Sequence, residues 1–525
     1  MVVLQATTTL VALLLLPATS LGQPAHSNRA YDYIVPGSGP GGGSLACNLA
    51  RDDHTSNIRT VIANRGYVHH TDEDTELRNN RLTWRFANGL YWFGNAARAP
   101  EGAGLLGVYH PHGATIGGSS VTNAMATCHK NMRRFFERIE MNNYLPKSTP
   151  GHGFHGYFET VLGNGSQYLS NPNVMDILKS HVRSIGQDPE KLIEMLEKKS
   201  ISRPLILETL AAKNADGSPK YPLNFLSYSL VTELLFEEKN SGRPKAIGVE
   251  HLLSGPSNSH KILQLSGIGK KPDLEAVGTR VVVDLPGVGR NLQGNQEFLI
   301  VGHAQFNLTA NPNPNEPTRA KSTPGDPCEE LWRQGKGPYM RPGYNLNALP
   351  LRSNFLLDGE RDICIFSWSN AFHGFWPAGK RPELVDPAKP IGFSVVKMHP
   401  QNTAEYIKLR SAEPTEPPGI KFELYKEGAE TGPRSDGRCG NADPESDKKW
   451  IRKQTFGHHP TDTCKIGAAD DRMVVLASKF RVLGVNGLRL VGASIFSRAP
   501  GAFPAVAIFV ISQEAPDVIL EDFNV

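Results

Sequence analysis

Short runs of β-branched and aromatic residues, each stopped by glycine or proline, set the pattern of this chain. Residues 31–35 read as a strand, 37–42 as a glycine-rich turn and 44–51 as a helix. A second strand, 59–63, ends at Asn64 and completes a βαβ start. Residues 224–236 and 246–253 have strand character, 260–265 are helix-like, and 281–289 read as a strand and turn. Stretches 307–327, 411–419 and 428–447, rich in Gly, Pro, Asn or other polar residues, read as loops. Residues 485–520 return to strand, turn and helix. Pro504 stands near the first helical position of the apolar segment 505–512, and Pro516 is expected to end or kink that helix early. No internal repeat is present.

Composition narrows the picture. The chain has 525 residues, 39% hydrophobic and 21% charged, with a formal net charge of +4. That is a globular composition without a dense Lys/Arg block, so no nucleic-acid partner is expected. The apolar run 9–16, followed by small residues 17–22, predicts a secretory signal peptide ending at Gly22. It falls short of the ~20 apolar residues that span a bilayer, so no stable membrane anchor is expected. The destination is then outside the cell, the secretory pathway or a vacuolar lumen. Sequons at Asn164 and Asn307 agree with glycosylation there. Cysteines 47, 128, 328, 364, 439 and 464 lack CxxC spacing. No metal site is expected, and one disulfide is compatible with the compartment without its pair being named.

Three blocks carry chemistry. Gly37, Gly39 and Gly42 form G-x-G-x-x-G after a strand and before a helix. In that context the first glycine permits the turn and the second lets backbone approach a pyrophosphate. The third lets helix pack on strand, and the helix N-terminus favours the anion. The strand that should end in a ribose-binding acid ends instead in Asn64. Residues 113–125, GATIGGSSVTNAM, form a compact loop of small residues, and residues 456–464, FGHHPTDTC, hold two histidines. An imidazole ordinarily titrates near neutrality, which suits proton abstraction from a hydroxyl.

The fingerprint, 113–125, 255–269, 285–293 and 458–467 stand in one order that resembles the glucose–methanol–choline (GMC) oxidoreductases. Membership implies FAD held by Gly37, Gly39, Pro40, Gly41 and Gly42, with Asn64 and Arg65 at the adenosine. It implies Gly117, Gly118 and Ser119 close to the flavin ring, and Asn123, Ala124, Met125 and Ala126 along the isoalloxazine and ribityl groups. Val231 would touch adenine through its backbone, and Gly492, Ala493 and Pro504 would border the cofactor from the C-terminal side. His459 matches the active-site histidine, with His458 structural, and Phe503 takes the place of the usual second His or Asn. Gly492 stands where Asp is common and Asp462 where Gly is usual. The link between Glu250 and Gly255 is shorter than in relatives by roughly thirty residues. Asp326-Pro-Cys, Gly337-Pro-Tyr and Phe372-His-Gly-Phe are similar to the fungal secondary-metabolite branch, which includes enzymes like versicolorin B synthase and patulin synthase.

The resemblance implies an α/β composite: a Rossmann-like FAD-binding domain and a substrate domain built on an antiparallel sheet with helices. After the leader 1–22, segments 30–150, 220–300 and 455–525 would form the first and 151–219 and 301–454 the second. The implied activity is oxidation of an alcohol group on a small, polyketide-like substrate by hydride transfer to the flavin. His459 would be the base, and oxygen or another acceptor would reoxidise the flavin. Two alternatives stand beside it. Phe503 points to a non-redox cyclase or dehydratase of the versicolorin B synthase type with structural FAD. Asn64 and the short link point to a degenerate, non-catalytic paralogue. Trp368, Phe372, His373, Phe375 and Trp376 could stack a substrate ring or pack a core. Oligomeric state is not legible.

Overall fold

The run that reads as the first strand is largely buried, as a central strand of a covered sheet must be; Tyr33 and Val35 on one face are closed to solvent, and Ile34 on the other is half-buried. A computed structural model describes residues 2–5, 33–37, 39–51, 58–61, 67–70, 82–85, 91–93, 104–111, 133–161, 172–184, 188–189, 199–200, 209, 211–221, 223–226, 230–237, 242–252, 259–305, 345–353, 361–368, 389–416, 418–423, 444–457, 459–468, 470–501 and 503–522. In chain order the elements that position the site are β1 (Val2–Gln5), β2 (Tyr33–Pro36), α1 (Gly42–Arg51), β3 (Ile58–Val61), α2 (Arg133–Ile139), β4 (Leu223–Leu226), β5 (Leu230–Phe236), β6 (Ala246–Leu252), α3 (Ser259–Leu265), β7 (Gln296–His303), β8 (Asn345–Leu351), β9 (Ile363–Trp368), β10 (Pro390–Lys397), β11 (Leu488–Leu490) and α4 (Ala505–Leu520).

One sheet runs β4-β3-β2-β1-β11. β4, β3 and β2 are parallel, while β1 is antiparallel to both its neighbours, with Leu4 opposite Ile34 on one side and Leu488 on the other. α1 covers this sheet. Its Leu45, Ala46, Leu49 and Ala50 share one core with Tyr33 and Val35, with Leu488, Leu490 and Val491, and with Ile511, Ala515 and Ile519 of α4. The two ends of the chain therefore close on each other, and apolar burial on this scale is the main term holding them together. β1 falls within the segment expected to be the leader. Cleavage after Gly22 would leave β2 and β11 apart by about two strand spacings, ~9–10 Å, unless they moved together.

A second sheet, β7-β10-β9-β8, is antiparallel throughout. Its register sets Glu297, Val396 and Cys364 in one row and Leu299, Ser394 and Phe366 in the next, so these residues share a face. A third, mixed sheet joins 406–408 and 419–421 to 67–70, 104–111, 82–85 and 91–93.

Two local expectations need correction and a third, at 281–289, narrows. Residues 444–447, read as loop, open the helix Pro444–Gln454, where Pro444 takes the first position and Glu445 and Asp447 face the positive end of the helix dipole. α4 does not stop at Pro516 but runs through it to Leu520. A proline forfeits one backbone hydrogen bond and crowds the preceding turn. Burial of Ala515, Ile519 and Leu520 on the core outweighs that penalty. The 281–289 stretch is mostly turn; only Val283–Asp284 pairs, with Ile268–Gly269.

Cys47, Cys364 and Cys464 are free and buried, while Cys128, Cys328, Cys439 and both sequons lie outside the described residues. Among the described residues no helix is long and apolar enough to cross a membrane, and no His/Cys/Asp/Glu group could hold a metal ion.

An ion cluster ties α4 to β11. Asp522, just past α4, accepts from Arg489 of β11 and from Arg481 at 2.6 Å, with Lys479 at 3.4 Å. Partial burial raises the carboxyl, but the hydrogen bonds and charges of Arg481 and Arg489 outweigh it and bring it down to about 2. Its stabilisation is therefore full above the ordinary carboxylate range, near pH 4, and is lost as pH falls toward 2. Asp522→Asn should lower stability at pH 7 by roughly 1.5–3 kcal/mol and flatten the acid limb of a denaturation profile. An unchanged midpoint at pH 7 would show that the cluster contributes nothing.

Candidate functional site

β2 delivers the chain into the fingerprint. Gly37 takes φ +94°, a conformation that side chains resist, and α1 starts at Gly42 with Gly43 N–H donating to Gly39 O at 2.9 Å. Among the described residues, a Cβ built on Gly37 or Gly39 meets no atom within 4 Å, so these two glycines face space that no described residue fills. A Cβ on Gly41 would lie 2.9 Å from both Gly492 Cα and Val491 O. The sequence assigned close packing to Gly42, which is buried at the start of α1; the structure adds a close approach at Gly41, against the C-terminal segment. Gly492, φ 146° and ψ −166°, has backbone that only glycine adopts readily. Ser512 Oγ of α4 donates to Pro40 O at 3.2 Å and to Phe509 O at 2.7 Å. The fingerprint loop, 491–493 and α4 thus meet at one point.

His459 is held by two neighbours. On one side residues 456–461 run along 293–297, with bridges Glu297 to Phe456 and Gln293 to Thr461. On the other side Asp462 N–H donates to Ala493 O at 3.1 Å, Cys464 N–H to Ser494 O at 2.7 Å and Ile466 N–H to Ile495 O at 2.8 Å. Gln293 extends the clamp: its Oε1 accepts from Ala499 N–H at 3.1 Å and its Nε2 donates to Asn291 Oδ1 at 3.2 Å. Ala499 is fixed again through its carbonyl, 3.1 Å from His399 Nδ1. Four residues later comes Phe503.

The rings of His459 and Phe503 meet edge to face, with centroids 4.9 Å apart and planes at 67°. Phe503 in turn lies 5.0 Å from Phe366 and packs on the buried cluster of Cys364, Phe366, Val396 and Met398. Phe503 therefore stands opposite His459 as an aromatic wall without a hydrogen-bonding atom. Pro504 is the residue before the first turn of α4, its carbonyl accepting from Ile508 N–H at 2.9 Å.

Asp462 is fully buried and carries φ +71°. Its Oδ2 accepts from Thr461 Oγ1 at 2.8 Å. Burial pushes the carboxyl well above its ordinary range, against the lowering effect of the Thr461 bond, and so favours its protonated form. The sequence flagged Asp462 only as a departure, and it missed Gln293 as the amide that fixes both Asn291 and Ala499.

The structure therefore brings together Gly37, Gly39, Pro40, Gly41, Gly42, Gly492 and Ala493 in one group, and His459, Phe503 and Pro504 in an adjoining one. Val231 sits buried on β5 at a bulge in the β5–β6 pair. β4, just before β5, is parallel to β3, so Leu226 lies beside Val61 at the strand end that leads to Asn64. Asn64, Arg65, Gly117, Gly118, Ser119, Asn123, Ala124, Met125, Ala126 and His458 lie outside the described residues. So does the aromatic cluster beyond Trp368.

Residues 410–512 match the model of the GMC oxidoreductase family. The chain is 23% identical over 573 residues to an oxygen-dependent choline dehydrogenase of Vibrio vulnificus, covering 93% of this chain and 94% of that one. Among solved structures it is similar to pyridoxine 4-oxidase from Mesorbium loti, with TM-score 0.60, 16% identity, and coverage of 92% and 98%. It is also similar to a variant of formate oxidase from Aspergillus oryzae RIB40, with TM-score 0.67, 13% identity, and coverage of 95% and 100%. At these identities the structural likeness establishes the fold, an α/β architecture shared across nearly the whole chain.

Proposed function

We infer that this chain is an FAD-dependent oxidoreductase of the GMC type acting on a CH–OH group, with His459 as base; the family match over residues 410–512 and the likeness to choline dehydrogenases support the reading. One observation carries the reading. The fingerprint loop touches the 491–493 turn at Gly41, and that turn is hydrogen-bonded to the His459 segment through Asp462 and Ala493. A phosphate-binding loop and a candidate base thus belong to one rigid assembly.

The residues present fit the cofactor. Gly37 and Gly39 leave a cradle free of atoms of the described residues at the N-terminal end of α1, where free N–H groups and the helix dipole favour a pyrophosphate. Gly37, Gly39, Pro40, Gly41 and Gly42 would hold that part, with Gly492, Ala493 and Pro504 bordering the flavin. When bound, FAD supplies the hydride acceptor for alcohol oxidation.

The protein's own groups do the rest. His459 accepts the hydroxyl proton, so that charge does not build on the substrate oxygen. Phe503 and Phe366 form an apolar wall beside it and keep water from that side. They offer the oxygen no donor. A secondary-metabolite alcohol with a flat apolar body fits such a wall. Oxygen as acceptor has support from the relative named oxygen-dependent choline dehydrogenase. Export through the secretory pathway rests on residues 9–22, and N-terminal sequencing of protein recovered from the medium tests it.

Phe503 favours a second reading, in which His459 acts as acid and base in a non-redox ring closure and FAD is structural. Anaerobic mixing with candidate alcohols separates the two: bleaching of the flavin band supports oxidation, and product formation without bleaching supports ring closure. Protein that carries no flavin overturns both. For the oxidase reading, Phe503→Asn supplies a donor for the substrate oxygen. It should speed bleaching by about tenfold or more, a fraction of what one such donor contributes elsewhere. A slower or unchanged rate would show that the aromatic wall, not a missing donor, sets turnover.

A further inference from the structure

Asp462 is an expensive residue to keep where it is. A buried polar atom without a partner costs about 1–3 kcal/mol, and among the described residues Oδ1 of Asp462 has none. A side chain at φ +71° adds backbone strain that glycine would escape. Glycine would thus be the more stable choice at this position. Strain of this kind persists at sites where a ligand uses it.

Its place indicates which ligand. The Asp462 N–H donates to Ala493 O at 3.1 Å, next to Gly492. Gly492 faces Gly41 of the fingerprint across backbone contact and offers no side chain of its own. The Asp462 carbonyl is tied to Asn291 Nδ2 at 3.4 Å, and Oδ2 is occupied by Thr461 Oγ1. That leaves one carboxyl oxygen at the seam between the cofactor loops and the histidine turn. Burial favours the protonated carboxyl, which can donate a proton in a hydrogen bond as well as accept one.

We propose that Asp462 is a cofactor-binding residue whose Oδ1 hydrogen-bonds the flavin half of FAD, supplying from the histidine turn the polar group that Gly492 lacks. The inference rests on the FAD reading above. The experiment uses flavin-stripped full-length protein titrated with FAD, FMN and ADP, together with thermal unfolding of the same apoprotein. Asp462→Gly should weaken FAD and FMN by roughly tenfold, the loss of one such bond. It should leave ADP binding unchanged and leave the apoprotein as stable or more so. Asp462→Asn, which tolerates positive φ and keeps an N–H donor, should bind FAD within about threefold of the parent, since one bond of this class is retained. The proposal is overturned if Asp462→Gly binds FAD as the parent does, if ADP weakens in parallel, or if weaker binding follows a matching fall in apoprotein stability. Equal loss in the Asn and Gly variants also overturns it. If the parent itself takes up no FAD, the functional reading fails first and this inference with it.

Discussion

His459→Ala is expected to lower turnover by roughly 10²–10⁴-fold, the usual contribution of a positioned base, while the bound flavin's absorbance stays intact. The split follows from the geometry. The imidazole faces Phe503, whereas the contacts joining the turn to the cofactor loops are made by the backbone of Asp462, Cys464 and Ile466. Removing the ring therefore removes the proton acceptor without loosening the cofactor. A fall in flavin content that matched the fall in rate would move His459 from the chemistry to the scaffold. Turnover within threefold of the parent, far short of what losing a base costs, would exclude it as the base. The same variant also tests the ring-closure reading, which needs the histidine as well; only the bleaching experiment tells those two apart.

Gly41→Ala and Gly39→Ala form the second large prediction, because the two glycines do different work. A Cβ on Gly41 would sit 2.9 Å from Gly492 Cα and Val491 O, both backbone atoms that cannot swing aside. The fingerprint loop and the 491–493 turn must then separate. Overpacking of this kind costs about 1–3 kcal/mol, and the cradle is lost with it. Gly41→Ala should lower the apoprotein's melting temperature and abolish flavin uptake. Gly39→Ala meets no atom of the described residues within 4 Å, so the apoprotein should melt as the parent does. Its methyl group would occupy the pyrophosphate's approach, and FAD binding should fall by tenfold or more, the equivalent of ~1.4 kcal/mol. If Gly39→Ala takes up FAD normally, the cradle lies elsewhere and the fingerprint reading fails. If Gly41→Ala melts like the parent, the contact with Gly492 is not rigid.

Much of this was legible in the chain. The strand, turn and helix from Tyr33 to Arg51 follow from neighbouring residues: β-branched and aromatic residues, then glycines that permit φ +94°, then small apolar residues at helical spacing. The histidine turn and the apolar C-terminal helix were visible for the same reason. Misreadings came where packing overrode a local rule. Pro516 should break a helix, yet α4 continues because its last turn is buried. The polar stretch before Trp450 looked like loop, yet Pro444 and two acidic residues begin a helix there.

By itself the sequence determined the period of each element, the positions where backbone had to bend, and the chemical groups on offer: glycines for a phosphate, imidazole for a proton, phenylalanine where a donor was expected. Those properties act over a few residues, so a local pattern can encode them. Only the tertiary structure decided which groups meet. Gly41 closes on Gly492, Asp462 joins Ala493, Phe503 stands opposite His459, and β1 enters the sheet between β2 and β11. Each of these contacts, bar that between Asp462 and Ala493 and that between His459 and Phe503, joins segments from opposite ends of the chain. Every one of them exists because burying a shared core fixes distant backbones against each other, which no spacing along the chain can express.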